Sequence, residues 1–328
     1  MNKKEFEDIL GKENITEYFL QLPREELLQT FGEDFLKTVD YGSQNNASHQ
    51  YDLFEHILRT VDGVQSSNLK IKVAAFLHDI GKPEVAKLNE KTGQTQFIGH
   101  AKESANLAND ILIRLGYSKE EIDEINFLIQ CHDDFINISK LEDITPDRIS
   151  KVYASINKKL DSYKPTLEDM KNLITLCRAD AMAQSDKIIK DGQVTDTKQL
   201  RILRLNAIEN VISEAVILRP NQEIEKLKQQ KITIQEGPKP IEKNGRIVNQ
   251  KQIDLWNSKT DEQKQAELEE IEHKIILLEK EKSVILGKSK DNKDIHEEKA
   301  LKLQSSVEKL NALNTEINQL ENPKENQK

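Results

Sequence analysis

Val73-Ala74-Ala75-Phe76-Leu77-His78-Asp79-Ile80-Gly81-Lys82-Pro83 opens with five apolar residues in a row and runs into a His-Asp pair. A helix that is apolar on every side is buried all round rather than laid on a surface, so this stretch is the expected centre of the fold. The pair at its end then faces a low-dielectric interior, where two imidazole nitrogens and two carboxylate oxygens all need partners. A buried polar group left without one costs about 2–7 kcal/mol. A metal ion answers that need.

Working outward, the neighbouring segments read as helices with recognisable starts. Asn14 with Glu17 has the form of a capping box ahead of Tyr18-Phe19-Leu20, and Ser118 with Glu121 repeats it ahead of Ile122, Ile125, Leu128 and Ile129. Thr145-Pro146 places a capping hydroxyl before a proline suited to the first helical position, and Thr166 with Asp169 precedes Met170, Leu173, Ile174 and Leu176. The histidines fall within this frame. His56 lies on the segment Leu53-Phe54-Glu55-His56-Ile57-Leu58, His100 follows Ile98-Gly99 at a helix start, and His132 ends the helix begun near Ser118. Asp180, in Cys177-Arg178-Ala179-Asp180-Ala181, sits on the helix begun at Thr166.

Taken in order, His56, His78-Asp79 with Ile80-Gly81-Lys82, Gly99-His100, His132 and Asp180 resemble the successive ligand positions of the HD-domain metal-dependent phosphohydrolases. The wording around them, Tyr51-Asp52-Leu53-Phe54-Glu55-His56-Ile57-Leu58-Arg59, Phe97-Ile98-Gly99-His100 and Ala179-Asp180-Ala181, is most similar to the HD domain attached to bacterial CCA-adding tRNA nucleotidyltransferases. The resemblance covers residues 49–185. A nucleotidyltransferase domain is not expected in the short stretch upstream. The Gly-Tyr-Pro signature of the cyclic-di-GMP branch and the acidic pair of the guanosine tetraphosphate hydrolases are absent after Asp79, where Gly81-Lys82 stands instead.

The resemblance implies an all-α HD-type bundle that holds one or two divalent ions, Mn, Fe, Ni, Co, Zn or Mg. His56, His78, Asp79 and Asp180 would bind one, and His100 and His132 a second, with Asp79 bridging. Such ions lower the pKa of a water so that it attacks phosphorus in line. The implied activity is hydrolysis of a nucleotide or RNA-end phosphoester such as a 2′,3′-cyclic phosphate. Lys82, four residues after His78, and Arg59, three after His56, are candidates for holding a substrate phosphate, and Asp79 and Lys82 for acting in catalysis. Read as residues alone, each has a plainer alternative. His78-Asp79 can be a structural buried pair, His132 a helix-end residue before Asp133-Asp134, Lys82 a solvated helix-end cation and Arg59 a surface arginine. His49 belongs to a polar loop with Gln44-Asn45-Asn46-Ala47-Ser48.

The rest of the chain differs in character. The last Phe is Phe135 and the last Tyr is Tyr163, leaving Trp256 as the one aromatic of the final third of the 328 residues. The expected division is an HD-type domain over 1–220, a connector over 221–260, a helical hairpin or coiled coil over 261–321 and a disordered tail over 322–328. In the connector, Lys231-Ile232-Thr233-Ile234 and Arg246-Ile247-Val248 read as strands of a small hairpin. Beyond it, Leu268, Ile271, Ile275, Leu278 and Ile285, then Leu303, Val307, Leu310, Ile317 and Leu320, recur at helical spacing, which suggests self-association or a protein partner. An interaction protein using the HD region as a nucleotide sensor or scaffold is the alternative reading.

Composition narrows the classes. With 36% hydrophobic residues and no apolar run near the length of a membrane span, no membrane association is expected. Two cysteines, Cys131 and Cys177, are too few for a disulfide framework, so a reducing, cytoplasmic compartment is expected, with specialised export left open. The balance of 48 Lys+Arg against 57 Asp+Glu, a net charge of −9, argues against a general grip on nucleic acid backbone.

Overall fold

The computed structural model describes residues 1–160, 163–243 and 246–287. Its helices are α1 (Lys3–Leu10), α2 (Ile15–Gln21), α3 (Arg24–Phe31), α4 (Glu33–Asp40), α5 (Leu53–Gly63), α6 (Leu69–Leu77), α7 (Lys82–Val85), α8 (His100–Leu115), α9 (Lys119–Cys131), α10 (Pro146–Lys159), α11 (Leu167–Ala183), α12 (Lys198–Glu236), α13 (Gln250–Ser258) and α14 (Asp261–Ile285). The strands form three two-stranded antiparallel hairpins: β1 (Lys87–Asn89) with β2 (Gln94–Gln96), β3 (Lys187–Lys190) with β4 (Gln193–Thr197), and β5 (Glu242–Lys243) with β6 (Arg246–Ile247). The architecture is all-α. Two compact units divide at Leu218/Arg219.

In the first unit α6 is the axis, packed by α5, α9 and α11. Every residue from Val73 to Leu77 is buried. Phe76 lies among four other rings, with centroid separations of 4.8 Å to Phe19 and 5.2 Å each to Phe6, Phe31 and Phe35. The N-terminal helices thus wrap the apolar helix and hold the position of its C-terminal His-Asp pair.

The turn after that pair is fixed by close approach. Gly81 donates its N–H to Ser104 Oγ at 2.9 Å, and a Cβ at this position would lie 2.4 Å from Ser104 N and 2.8 Å from Glu103 C. Only glycine lets the first turn of α8 press against the end of α6. Gly99, at φ +88°, supplies the left-handed residue from which α8 starts at His100. Thr38 of α4 closes the same turn by donating to Ile80 O at 3.1 Å.

Helix starts follow the sequence signals in most places. The capping boxes of Ser118 with Glu121 and Thr166 with Asp169 form, and Thr145 caps α10 ahead of Pro146. Asn14 is different. It adopts a left-handed conformation and makes no cap hydrogen bond, because Asp62 accepts from Ile15 N at 2.9 Å and from Thr16 N at 3.2 Å. The cap comes from the end of α5, distant in sequence.

In the second unit, Ile232-Thr233-Ile234 lies in α12 rather than in a strand. A four-residue alternation is outweighed by the Glu-, Lys- and Gln-rich residues around it, all good helix formers. The expected hairpin survives only as β5 and β6, and Pro220 falls inside α12 rather than ending it. Ile224 and Leu227 of α12 and Ile271, Leu277 and Val284 of α14 are buried, and Trp256 donates its indole N–H to Ile234 O at 2.9 Å. Of the expected seam Ile271 is buried and Leu268, Ile275, Leu278 and Ile285 are half-buried, while Leu277 and Val284 are buried beside them. The proposed second helix of the hairpin, with Leu303 and Leu310, and the tail over 322–328 lie outside the described residues. Among the described residues no helix is long and apolar enough to cross a membrane.

Gly81→Ala is expected to destabilise the protein by about 1–3 kcal/mol through overpacking against backbone. A denaturation midpoint equal to that of the native protein would show that α8 yields freely.

Candidate metal centre

Six side chains converge where α5, α6, α8, α9 and α11 meet: His56 in the body of α5, His78 at the C-cap of α6, Asp79 after it, His100 at the first residue of α8, His132 at the C-cap of α9, and Asp180 near the end of α11. All six are buried. The four rings are oriented alike. Nδ1 faces a backbone carbonyl in each: Ala183 O at 3.3 Å from His56, Ala75 O at 2.7 Å from His78, Phe97 O at 2.8 Å from His100 and Ile129 O at 2.6 Å from His132. A carbonyl can only accept, so Nδ1 carries the hydrogen and Nε2 of each neutral ring keeps its lone pair. This is the arrangement that prepares histidines for a metal.

Asp79 divides the Nε2 atoms into two sets. Its Oδ2 lies 3.3 Å from His56 Nε2 and 3.2 Å from His78 Nε2, while Asp180 Oδ1 lies 3.1 Å and 3.8 Å from the same two atoms. Its Oδ1 lies 3.1 Å from His100 Nε2 and 3.7 Å from His132 Nε2, and Asp133 adds carboxylate oxygens at 3.4 Å and 3.7 Å from those rings. One carboxylate therefore stands between two donor groups.

The residues present fit a divalent cation. Nε2 of His56 and His78 and Oδ1 of Asp79 and Asp180 are fully buried and have no well-formed hydrogen bond, although they crowd together. A cation on the Asp180 side would satisfy His56, His78 and Asp180, and one on the His100 side would satisfy Asp79 Oδ1. The groups His56-His78-Asp180, His78-Asp79-His132 and His100-His132-Asp133 each bring three ligand atoms within 4.8 Å of one another. The donors are nitrogen and carboxylate oxygen, a set suited to first-row transition metals and, through its carboxylates, to Mg. Cys177 takes no part, since its thiol donates to His132 O at 3.1 Å and burial pushes its pKa up.

Burial and neighbouring charges oppose each other at this centre. Burial opposes ionisation of Asp79 and Asp180, yet His78 and Lys82 around the first and His56 and His78 around the second hold both carboxyls well below the ordinary range. Burial likewise opposes a charged His78, but Asp79 and Asp180 outweigh it and raise its pKa to about 10. A proton on His78 partly neutralises the carboxylates.

Lys82 is 3% exposed, so it is not a solvated cation. Its ammonium donates to Asp79 Oδ2 at 2.6 Å and Gln44 Oε1 at 2.8 Å and lies 3.1 Å from His49 Nε2, which engages its three hydrogens. His49 donates from Nδ1 to Asn46 Oδ1 at 2.8 Å, and burial, then the Lys82 charge, lowers its pKa to about 2. It is a neutral acceptor beside the lysine. Arg59 is not brought to the site: it pairs with Glu55 at 2.7 Å and covers the Tyr51 ring at 4.2 Å, on the outer face of α5.

The centre opens into a cavity of about 470 Å³, which Asp79, Lys82, His100, His132, Asp133 and Asp180 line on one side and Ile188, Arg201, Arg204, Leu205 and Ile208 on another. Gln44, Asp133, Arg201 and Arg204 carried no sequence signal pointing to this place. Asp133 was visible only as the residue after His132.

The family model described as HD domain matches residues 49–184. Over 97 residues the chain is 29% identical to the CC-adding tRNA nucleotidyltransferase of Thermus thermophilus, an overlap that covers 28% of this chain and 22% of that protein. Over 95 residues it is 28% identical to the A-adding tRNA nucleotidyltransferase of Deinococcus radiodurans, again 28% and 22% of the two chains. The chain thus spans about a fifth of the length of the curated relatives it matches. No solved structure matches.

Because His78 holds a proton up to about pH 10 in the metal-free protein, metal loading must displace it. Loading near neutral pH is expected to release protons, and apparent affinity to rise as pH rises toward 10. Titration calorimetry in buffers of different ionisation enthalpy checks this. A heat independent of the buffer would contradict it.

Proposed function

With residues 49–184 an HD domain, a family of generally metal-dependent hydrolases, we propose that the protein hydrolyses a phosphoester of a nucleotide or RNA end, such as a 2′,3′-cyclic phosphate. The observation that carries this reading is the set of buried, orphaned Nε2 and carboxylate oxygen atoms around Asp79, beside a cavity of small-molecule size that Asp79, His100, His132 and Asp180 help to line. His56, His78, Asp79 and Asp180 would hold one ion, and His100 and His132, with Asp133 beside them, would hold a second across Asp79. When bound, the ions supply Lewis acidity, which lowers the pKa of a water and neutralises the charge that develops on the phosphoryl oxygens.

The protein's own groups perform the rest. Backbone carbonyls on Nδ1 hold the four imidazole rings with Nε2 turned toward the centre, so the rings need not turn when a ligand arrives. Lys82 positions Asp79 through Oδ2, and His49 with Gln44 keeps that ammonium aimed. A direct contact between Lys82 and a substrate phosphate would require one of these bonds to be given up.

The test pairs metal content with activity. Native protein loaded with Mn, Co, Ni or Zn is expected to retain one or two ions per chain by elemental analysis and to hydrolyse 2′,3′-cyclic AMP or a generic phosphodiester. Asp79→Ala should lose metal and about three orders of magnitude of rate, in line with the several kcal/mol that metal ions contribute to such reactions. Native protein that binds no metal after loading and does not exceed the Asp79→Ala background would overturn the reading. His132→Ala separates one ion from two, since it should remove only one of a pair.

A further inference from the structure

Part of the cavity wall is built from residues that follow the HD match at 184, on the β3–β4 hairpin and the first turns of α12. Two arginines stand there, and they differ. Arg204 is fully committed, with Nη2 on Asp196 Oδ2 at 2.6 Å and Nη1 on Ser139 O at 2.8 Å. Arg201 is not. Its Nη2 donates to Ser185 O, while Nε and Nη1 are buried without a hydrogen-bond partner. Asp196, Asp180 and Asp186 act on it through their charge, but none is hydrogen-bonded to it, and Asp196 is already taken by Arg204.

A guanidinium with two nitrogens buried and unpartnered is a costly arrangement, and a small shift of this cavity-lining side chain toward an anion would relieve it. Among the described side chains that line the cavity no other cation is free for that anion, since Lys82 is engaged by Asp79, Gln44 and His49 and Arg204 by Asp196. Beside Arg201 lie Ile188, Leu205 and Ile208, an apolar surface suited to the organic part of a ligand. We propose that Arg201 binds a phosphoryl oxygen of the substrate, a small phosphoester whose organic group rests on Ile188, Leu205 and Ile208. The site is then shared between the HD domain and the segment that follows it. This inference rests on the phosphohydrolase reading and names the group that recognises its substrate.

Inorganic phosphate is the probe, titrated by calorimetry into full-length, metal-loaded protein. Arg201→Gln keeps a donor for Ser185 O but loses the charge. It is expected to match the native protein in metal content and thermal midpoint and to bind phosphate about tenfold or more weakly, the loss expected for a charged hydrogen bond. Arg201→Lys should recover much of that affinity. Phosphate affinity of Arg201→Gln within about twofold of native, with hydrolysis of 2′,3′-cyclic AMP intact in both, would overturn this inference alone. Loss of metal or of folding in both variants would also overturn it, by making Arg201 a brace for Ser185. A native protein that neither binds phosphate nor hydrolyses any phosphoester would remove the phosphohydrolase reading and this inference with it.

Discussion

A carboxylate at the end of a wholly apolar helix is the constraint on which the first unit turns. Asp79 is 1% exposed and ionised, so its charge has to be balanced from every side within a few ångströms. Five elements contribute to that balance: α5 through His56, α6 through His78, α7 through Lys82, α8 through His100 and α9 through His132. None of these is local decoration. The phenylalanines around Phe76 set where α6 ends, and Gly81 sets how closely α8 can come to it, so the core packing and the polar centre specify one geometry together.

The same constraint explains why so much of the site was legible in the sequence. A His-Asp pair following five buried residues already states the problem, and the residues that solve it stand at helix ends with readable caps, at Gly99-His100, Ser118 to His132 and Thr166 to Asp180. What failed to show was whatever depends on distant backbone. Asp62 caps α2 although Asn14 has the right chemistry in the right place, because the end of α5 arrives there first. Gln44 looked like one polar loop residue among several, yet it is 1% exposed and holds Lys82. Arg59 sits three residues from His56, but helical geometry paired it with Glu55 one turn back.

A sequence family and a folding unit need not share a boundary. The HD match ends at residue 184, whereas the compact unit continues to Leu218 and takes in β3, β4 and the start of α12. Ala215 and Val216 are fully or almost fully buried there, as are Ile208 and Ile212, so these turns of α12 belong to the core as much as α11 does. Ligand atoms come from the matched region, and an apolar and cationic wall comes from beyond it. On the proposed reading, chemistry and selectivity would rest on separate stretches of chain, and the second could change while the first is kept.

The charge distribution bears on what such a wall would admit. A chain with a net charge of −9 repels a long polyanion over distances comparable to the Debye length, about 8 Å at physiological ionic strength. Inside the cavity Arg201 keeps two nitrogens without hydrogen-bond partners, while Arg204 is paired with Asp196. A short anion that leaves most of its charge in solvent meets that cation without laying further phosphates along the acidic surface. A duplex would have to do both. The net charge of the whole molecule and the unpartnered nitrogens of this single side chain therefore both agree with the ligand proposed above, a small or terminal phosphoester.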